Sequence, residues 1–291
     1  MRIAVTGAWG IAGREVVADL LAHGYEVQAT DAAGPPGHRA VPELGVMLTI
    51  ADLTDYGQAV EVLAGADAVV HLANIPTPEM ATAPRTLTDN LAMNTNVFLA
   101  AARLGLRKVV WASSETTLGL PFAEPPRYAP VDEAHFPVPT TTYGLSKVLS
   151  EQAAEHISAW SSIPFVALRI SNIHRPEDYA AVPGYWADAA ARRWNLWGYV
   201  DVRDVALAAR LALETETSGA EAVIIAAADT IMDRPSADLL AEEFPGVPLT
   251  REVHGFETLL AIDGARRLLG YEPRHSWRDH VGGGAAAGAH D

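Results

Sequence analysis

The chain contains 291 residues with 21 basic and 36 acidic side chains, which give a net charge of −15 at pH 7, and it contains no cysteine. The negative charge argues against nonspecific binding to nucleic acid, because such binding depends on Lys and Arg side chains that neutralise phosphates. The absence of cysteine excludes disulfides and thiolate chemistry. No stretch approaches the roughly 18 apolar residues of a membrane span, and no signal-peptide pattern is visible. We therefore expect a cytoplasmic protein that binds neither nucleic acid nor membrane.

Seven short apolar runs alternate with helical patterns along the chain. Strands are predicted at 2–6, 26–30, 46–50, 68–72, 108–113, 165–170 and 222–226, and helices at 12–22, 56–64, 86–104, 142–160, 202–214, 236–243 and 263–269. We expect the last helix to have Asp263 as its N-cap and to end at Gly270. Apolar strands separated by helices indicate an α/β fold with a doubly wound parallel sheet covered on both faces.

A glycine-rich turn follows the first predicted strand and contains Gly7, Gly10 and Gly13. Glycine permits a tight turn and close approach of backbone N–H groups to a pyrophosphate, and the following helix N-terminus adds partial positive charge. The GxxGxxG spacing differs from the GxGxxG of the usual dinucleotide fingerprint. Because the turn lies between a strand and a helix, it favours dinucleotide binding by a Rossmann-type sheet.

Asp31 ends the second predicted strand, where dinucleotide-binding folds contact the adenosine ribose. A carboxylate accepts hydrogen bonds from the ribose hydroxyls and repels a 2′-phosphate, so NAD is favoured over NADP. Two alternatives remain open: Asp31 caps a turn, or Arg39 binds a phosphate.

The run YGLSK places Tyr143 and Lys147 four residues apart on one predicted helix. Side chains with this spacing share a helix face, and a nearby ammonium lowers the pKa of a phenol from its usual value of about 10. The pair is therefore a candidate acid/base catalyst. The alternative is a solvated helix face with an extended lysine.

With the glycine turn, Asp31, the serines Ser113 and Ser114 and YGLSK in this order, the sequence resembles the extended short-chain dehydrogenase/reductase family, also called NAD-dependent epimerase/dehydratase. The resemblance covers nearly the whole chain. Further similar runs are ADLTD (51–55), HLAN (71–74, HLAA in the family), DNLAMNTNVFLAAA (89–102), LRISN (168–172), YVDVRDVA (199–206) and LGYEP (269–273).

The resemblance implies catalytic roles for Ser114, Tyr143 and Lys147, with Ser114 counted back from Gly119. Tyr143 would exchange a proton with the substrate hydroxyl, Lys147 would hold the ribose and lower the tyrosine pKa, and Ser114 would bind the substrate oxygen. It also implies a set of cofactor-binding residues: Gly7, Trp9, Gly10, Ile11, Gly13, Asp31, Asp52, Leu53, Leu72, Ala73, Asn74, Asn90, Ser113, Tyr143, Lys147, Ile170 and Asn172.

The expected substrate-binding residues are Ser114, Glu115, Thr116, Asn172, His174 and Arg175. The run SSETTLG lacks the aromatic residue usual in the family, so Glu115 and Thr116 either face a differently shaped substrate or are solvated loop residues. Arg175 is a candidate partner for a substrate carboxylate, or else a surface residue. His71 is read as a packed core histidine, and no spacing of the histidines indicates a metal site.

The resemblance implies an NAD-dependent oxidoreductase acting by hydride transfer on a small sugar-like substrate. The segment between Asn172 and Tyr199 is shorter than in the nucleotide-sugar enzymes of the family, and SSETTLG is similar to the SSNHTIG of uronate dehydrogenases. Alternatives are a nucleotide-sugar 4-epimerase or dehydratase with tightly bound NAD, and a dinucleotide-sensing regulator without turnover.

The expected domain organisation has three parts. Residues 1–172 form the NAD-binding domain, with a strand and helix from about 199–228; residues 173–198 and 229–281 form a small substrate-binding lobe; residues 282–291 form a disordered tail. The family's usual interface implies a homodimer through helices 86–104 and 142–160.

Overall fold

A computed structural model describes residues 1–34, 40–41, 45–77, 80–122 and 124–281. Both Arg39 and the tail at 282–291 lie outside these residues. Within them the strands are β1 (Arg2–Thr6), β2 (Glu26–Asp31), β3 (Ala40–Val41), β4 (Val46–Ile50), β5 (Ala68–His71), β6 (Val109–Ser114), β7 (Phe165–Ile170), β8 (Ile173–His174), β9 (Val200–Asp201) and β10 (Ala220–Ile225). The α-helices are α1 (Ile11–Ala22), α2 (Tyr56–Leu63), α3 (Ala83–Leu104), α4 (Thr142–Ser161), α5 (Val202–Glu214), α6 (Ser236–Glu243) and α7 (Asp263–Leu269).

The central sheet has the strand order β10-β7-β6-β5-β1-β2-β4-β3. All its neighbouring strands are parallel except β3, which runs antiparallel to β4. The prediction of a doubly wound parallel sheet of the Rossmann type is confirmed, and each of the seven parallel strands overlaps a predicted apolar run. The short strand β3 was not predicted.

Two apolar cores lie on opposite faces of this sheet. Ile3 and Val5 of β1 pack with residues of α1 and α5, whereas Ala4 between them packs with residues of α2, α3 and α4. Successive side chains of a strand point to opposite faces, so a strand covered on both sides is apolar at every position, as the sequence indicated.

The helix starts differ from the predictions at two places. Helix α3 begins at Ala83, three residues before the predicted start at 86, and it includes Pro84 in its first turn. Proline is tolerated there because its missing N–H would have no helical partner. The N-cap prediction for Asp263 is wrong: Ile262 holds that position, and the Asp263 carboxylate instead lies within ion-pair distance of Arg251 and Arg266. The helix ends at Gly270, as predicted, in the left-handed conformation with φ +66°.

The segment after β7 contains two short strands and two 3-10 helices. Its two 3-10 helices, Pro176–Tyr185 and Ala189–Asn195, lie between β8 and β9, which pair with each other in parallel. Helices α6 and α7 complete a small C-terminal region, as expected. The division into the residue ranges given above stays a prediction. No helix of the described residues is long and apolar enough to cross a bilayer.

Candidate active site

The glycine turn after β1 forms a close-packed backbone cradle. Gly7 has φ +67°, and a Cβ atom there would lie 2.7 Å from the backbone nitrogen of Ala73. A Cβ at Gly13 would lie 2.0 Å from the Gly7 carbonyl oxygen, so both positions require glycine. Gly10 is the N-cap of α1 and no side chain caps that helix, so the first N–H groups of α1 remain available to an anion. The cradle fits the pyrophosphate of a dinucleotide.

Asp31 lies at the carboxyl end of β2 and faces this turn. Its Oδ2 accepts a 2.9 Å hydrogen bond from the backbone nitrogen of Trp9, and its Oδ1 accepts one of 2.7 Å from that of Ala32. The carboxylate is half-buried beside the place where a ribose would follow the pyrophosphate. Ile11, the first residue of α1, directly follows this turn and is exposed.

Residues at the ends of β4 and β5 continue the same edge of the sheet. Asp52 is exposed, and hydrogen bonds from Thr54 lower the pKa of its carboxyl, whereas Leu53 is buried in the core. Leu72 and Ala73 are half-buried against Gly7.

Two of the predicted cofactor-binding residues, Asn90 and Ser113, have hydrogen-bond partners within the protein. The side-chain amide of Asn90 accepts from the backbone nitrogen of Ile75 at 2.7 Å and donates to its oxygen at 3.1 Å. Asn90 therefore anchors the loop after β5. Ser113 donates a 2.6 Å hydrogen bond to Glu151, which is ion-paired with Arg169, so the Ser113 hydroxyl belongs to that buried pair.

The first turns of α4 bring Tyr143 and Lys147 to this edge. The helix begins where Thr141 Oγ1 accepts from the nitrogen of Gly144 at 3.0 Å. The Nζ atom of Lys147 lies 5.5 Å from the centroid of the Tyr143 ring and donates to the Ala112 oxygen at 2.7 Å. The two side chains share one face as the spacing predicted, and this face is not solvated at Lys147, which is 1% exposed.

The pKa values of this pair differ from the expectation. Burial raises the pKa of Tyr143 to about 12, opposed by a hydrogen bond from Ser114, instead of the expected decrease. Burial lowers the pKa of Lys147 to about 7, opposed by the charge of Glu151. Desolvation penalises the charged form of each group, and at Tyr143 the negative charge of Glu115 adds to the increase.

Ser114 ends β6 next to Tyr143 and is the N-cap of the 3-10 helix Glu115–Leu118. Its Oγ accepts hydrogen bonds from the Thr116 nitrogen at 3.2 Å and from the Thr116 hydroxyl at 3.0 Å. With its lone pairs used in this way, the Ser114 hydroxyl keeps its own proton to donate.

Glu115 is 4% exposed, which contradicts the solvated-loop alternative for this residue. The 3-10 helix turns its carboxyl inward, where it accepts hydrogen bonds from the Ser171 hydroxyl at 2.5 Å and from Asn195 at 3.4 Å. Burial raises the pKa of Glu115 to about 7, although these hydrogen bonds and the charge of Arg192 oppose the increase.

Asn172, His174 and Arg192 form a second polar group beside Glu115. The Oδ1 atom of Asn172 lies 3.0 Å from His174 Nε2 and accepts from Arg192 Nη2 at 3.1 Å. Burial lowers the pKa of His174 to about 4, so this imidazole is neutral near pH 7. No carboxylate of the described residues lies within 4.0 Å of the Arg192 guanidinium, and its buried Nε has no hydrogen-bond partner among them.

Sequence reasoning missed Arg192 and Asn195. Both lie in the 3-10 helix Ala189–Asn195, which has no apolar period to mark its buried face. The nearby aromatic residues were the only signal: the Arg192 guanidinium lies 5.2 Å from the ring centroid of Tyr185 and 5.1 Å from that of Trp194.

Arg175, in contrast, is bound to its own loop. Its guanidinium donates to both carboxylate oxygens of Asp178, at 3.1 and 2.9 Å, and pairs with Glu177 at 3.1 Å. This satisfied and half-exposed arginine is a poor candidate for a substrate carboxylate, and the surface alternative describes it better.

His71 is fully buried between Thr6 and Asn94, and burial lowers its pKa to about 3. It is a core histidine, as read from the sequence. Within the described ranges, no group of three His, Asp or Glu side chains is arranged to hold a metal ion.

The chain is similar to known proteins over most of its length. The model of the NAD dependent epimerase/dehydratase family matches residues 3–227, and the chain belongs to that family. It is 28% identical to a UDP-glucose 4-epimerase of Lacticaseibacillus casei, over 97% of this chain and 94% of the relative. It is 27% identical to an NAD-dependent glucose-6-phosphate dehydrogenase of Haloferax volcanii, over 63% of this chain and 74% of the relative. A solved structure of a mutated uronate dehydrogenase superposes with a TM-score of 0.69 at 21% identity, covering 96% of this chain and 85% of that one.

Proposed function

We propose that the chain is an NAD-dependent oxidoreductase that transfers a hydride at a hydroxyl- or carbonyl-bearing carbon of a small sugar-like substrate. The observation that carries this proposal is the position of Ser114, Tyr143 and Lys147 at one edge of the sheet, with the Lys147 ammonium 5.5 Å from the Tyr143 ring. The glycine cradle opens on the same edge, because the carboxyl ends of parallel strands lie together.

Each of the three side chains has a distinct task. Tyr143 accepts the proton of the substrate hydroxyl in the oxidation direction and returns it in the reduction direction. Ser114 donates a hydrogen bond to the same substrate oxygen, and the charge of Lys147 stabilises the phenolate form of Tyr143. The bound dinucleotide supplies the hydride acceptor or donor. The Asp31 carboxylate favours NAD, because a 2′-phosphate would be repelled there.

A small acidic sugar is the substrate class that the surrounding residues suit best. The described segment between β8 and β9 contains two 3-10 helices and no longer element, so it can offer little wall for a nucleotide diphosphate. Arg192 is 7% exposed and has no ion-pair partner within the described part of the chain. The charge of Glu115 acts on Arg192 from beyond ion-pair distance, so a substrate carboxylate within hydrogen-bonding distance would stabilise this buried guanidinium further. Arg192 thus takes the role first assigned to Arg175.

A nucleotide-sugar 4-epimerase is the second candidate. It is favoured by the UDP-glucose 4-epimerase that matches almost the full length of the chain. Such an enzyme regenerates its NAD in every cycle and would retain it through purification. A dinucleotide-sensing regulator is disfavoured, because a sensor has no use for Ser114, Tyr143 and Lys147 in one site.

A substrate screen tests the proposal. The absorbance of reduced nicotinamide is followed with NAD or NADP and a panel of free uronates, aldoses, polyols and UDP-sugars, with Tyr143→Phe as the inactive control. We expect NAD reduction with a free uronate. Turnover confined to UDP-sugars, together with NAD that copurifies with the protein, would establish the epimerase instead; binding of NAD without turnover of any sugar would favour the sensor.

A further inference from the structure

A chain of hydrogen-bonded side chains, all buried except the half-buried Asn74, connects β1 to Lys147. Thr6 Oγ1 lies 2.6 Å from His71 Nδ1, and His71 Nε2 lies 2.9 Å from Asn94 Oδ1. Asn74 Nδ2 donates to the same Asn94 oxygen at 2.8 Å, and Lys147 Nζ donates to Asn74 Oδ1 at 3.0 Å. These contacts join β1, β5, α3 and α4 in one network.

The direction of every hydrogen bond in this network follows from the lysine. An ammonium only donates, so the oxygen of the Asn74 amide must face Lys147 and its NH2 group must face Asn94. The Asn94 oxygen then accepts, and His71 must carry its proton on Nε2. His71 Nδ1 is left to accept the hydroxyl proton of Thr6, which agrees with a histidine whose pKa is about 3 and which therefore holds a single ring proton.

The side-chain NH2 group of Asn94 also has a hydrogen-bond partner. Its Nδ2 donates to Ser150 Oγ at 2.8 Å, and Ser150 donates in turn to the Ser146 oxygen at 2.7 Å. Asn94 therefore has no alternative orientation that keeps its contacts, and it fixes the Asn74 amide with its oxygen toward Lys147. Burial makes the loss of any one of these bonds costly.

Lys147 needs this acceptor, because it is buried without a close counterion. No carboxylate of the described residues lies within 4.0 Å of its Nζ, and burial favours the neutral amine. The charged groups that act on it are Glu151, one turn further along α4, and the phenol of Tyr143 if it ionises. Neutral oxygens of Ala112 and Asn74 thus stabilise the ammonium and use two of its three protons, leaving one for a ligand.

We propose that Asn74 is a positioning residue, which holds the Lys147 ammonium beside Tyr143 and keeps it protonated, while His71 and Asn94 hold the Asn74 amide in the orientation that this requires. The similar run in the family is HLAA, where the residue at this position is alanine and offers no side-chain acceptor. The role in catalysis rests on the proposed function; the effect on Lys147 itself does not.

The chain contains only two lysines, Lys108 and Lys147, which makes a direct test possible. The protein is labelled with 13C at the lysine ε-carbons, and the two resonances are titrated by NMR without substrate or cofactor. Lys147→Met assigns the signals. Lys108, which donates to backbone oxygens at the end of α5, is an internal control for the fold.

We expect Asn74→Ala to lower the pKa of Lys147 by about one unit or more, since an acceptor of the charged form is lost, and Asn74→Asp to raise it by a similar amount. Asn94→Ala should change it in the same direction as Asn74→Ala by a smaller amount. The Lys108 titration should be the same in all variants. An unchanged Lys147 pKa in Asn74→Ala and Asn74→Asp, with the Lys108 signal intact, would overturn the proposal.

The pH dependence of turnover provides a second measurement once a substrate is known. The limb of the kcat profile that reports Lys147 should move down in pH in Asn74→Ala and up in Asn74→Asp. If the Lys147 pKa moves but the pH profile of turnover stays the same in both variants, Asn74 still sets the protonation of Lys147, and the role of Lys147 in turnover is wrong; if NAD binds but no sugar is turned over, the proposed function fails on its own.

Discussion

The hydroxyl of Ser171 donates a 2.5 Å hydrogen bond to Oε2 of Glu115, the buried residue that follows Ser114 in the chain. The contact joins the carboxyl ends of β6 and β7, which are neighbours in the sheet. A carboxyl in this position is desolvated, and its pKa of about 7 lies well above the ordinary value of 4.5. Its ionisation therefore affects the stability of the fold within the physiological pH range.

Glu115→Gln should become more stable relative to the wild type as the pH increases. The folded state binds the Glu115 proton more tightly than the unfolded state does, so the stabilisation that this provides is complete below pH 4.5 and is lost as the pH rises through about 7. The gain of the variant between about pH 5 and about pH 8 should be at most on the order of 3 kcal/mol. Urea unfolding at the two pH values measures it. The exposed Glu221→Gln is the matched control, and equal pH dependence in both variants would contradict the argument.

Arg192→Ala should lose activity selectively on acidic substrates. Removing a charge-assisted hydrogen-bonding partner costs about 1.5–3 kcal/mol, which corresponds to roughly a 10- to 150-fold loss in kcat/KM on a uronate relative to the neutral aldose. Arg175→Ala is the control, because the Arg175 guanidinium is already paired with Asp178. This variant should reduce kcat/KM only slightly, and by the same factor on the uronate and on the aldose. A selective loss of activity on the uronate in Arg175→Ala, and not in Arg192→Ala, would return the carboxylate-binding role to Arg175, as expected from the sequence.

Tyr143→Phe should reduce turnover by about 10²–10⁴-fold, the usual effect of removing a general acid/base. The ring remains to fill its place next to Lys147, so NAD binding measured by calorimetry should be unchanged within a few-fold. Near wild-type turnover in this variant would refute the assignment of Tyr143 as the acid/base.

Asp31→Ala should narrow the preference for NAD over NADP. The side chain accepts hydrogen bonds from the backbone nitrogens of Trp9 and Ala32 at the end of β2, where a 2′-phosphate would be placed and a carboxylate would repel it. Calorimetric titration of the wild type and the variant with each cofactor measures the effect. Tighter binding of NADP by the wild type is the result that would reject this reading.

We expect the protein to form a homodimer through α3 and α4. Phe98 and Ile157 of the predicted apolar stripes are buried within the protein, but Leu145 and Leu149 are only half-buried and Trp160 is 67% exposed. This leaves apolar surface on the outer side of the helix pair. Light scattering at micromolar concentration should give the mass of a dimer, and Leu149→Glu should shift it towards the monomer. Met47→Glu, at an exposed apolar residue of β4, serves as control; a monomeric wild type would contradict the expectation.

The sequence predicts the sheet well because burial on both faces leaves a strong pattern. Strands β5 and β7 are buried along their whole length and are apolar at nearly every position, as expected for strands covered on both faces. The glycine turn is predictable for a related reason, since at Gly7 and Gly13 a Cβ atom would meet backbone. Glycines that are required by close backbone packing can thus be predicted from the sequence.

The polar groups around the site could not be placed in this way. Arg192 and Asn195 lie in a 3-10 helix, and β8 and β9 have two residues each, too few for a periodic pattern. Arg175 is less available than Arg192 to a substrate carboxylate because it is already paired with carboxylates of its own loop, and these pairs are not visible in the sequence. The pKa of Tyr143 depends on desolvation, which a spacing of four residues does not report.

The scarcity of lysine has a practical consequence for labelling the protein. Lys108 and Lys147 are 7% and 1% exposed, and their ammonium groups are bound to backbone and amide oxygens. The exposed positive charge of the described surface is therefore carried by arginine, which amine-directed reagents do not attack. Neither lysine ammonium is exposed to such a reagent while the protein is folded. A fluorophore or surface-coupling ester applied near neutral pH should therefore modify Lys108 and Lys147 only when the chain unfolds, so the extent of lysine labelling would report unfolding.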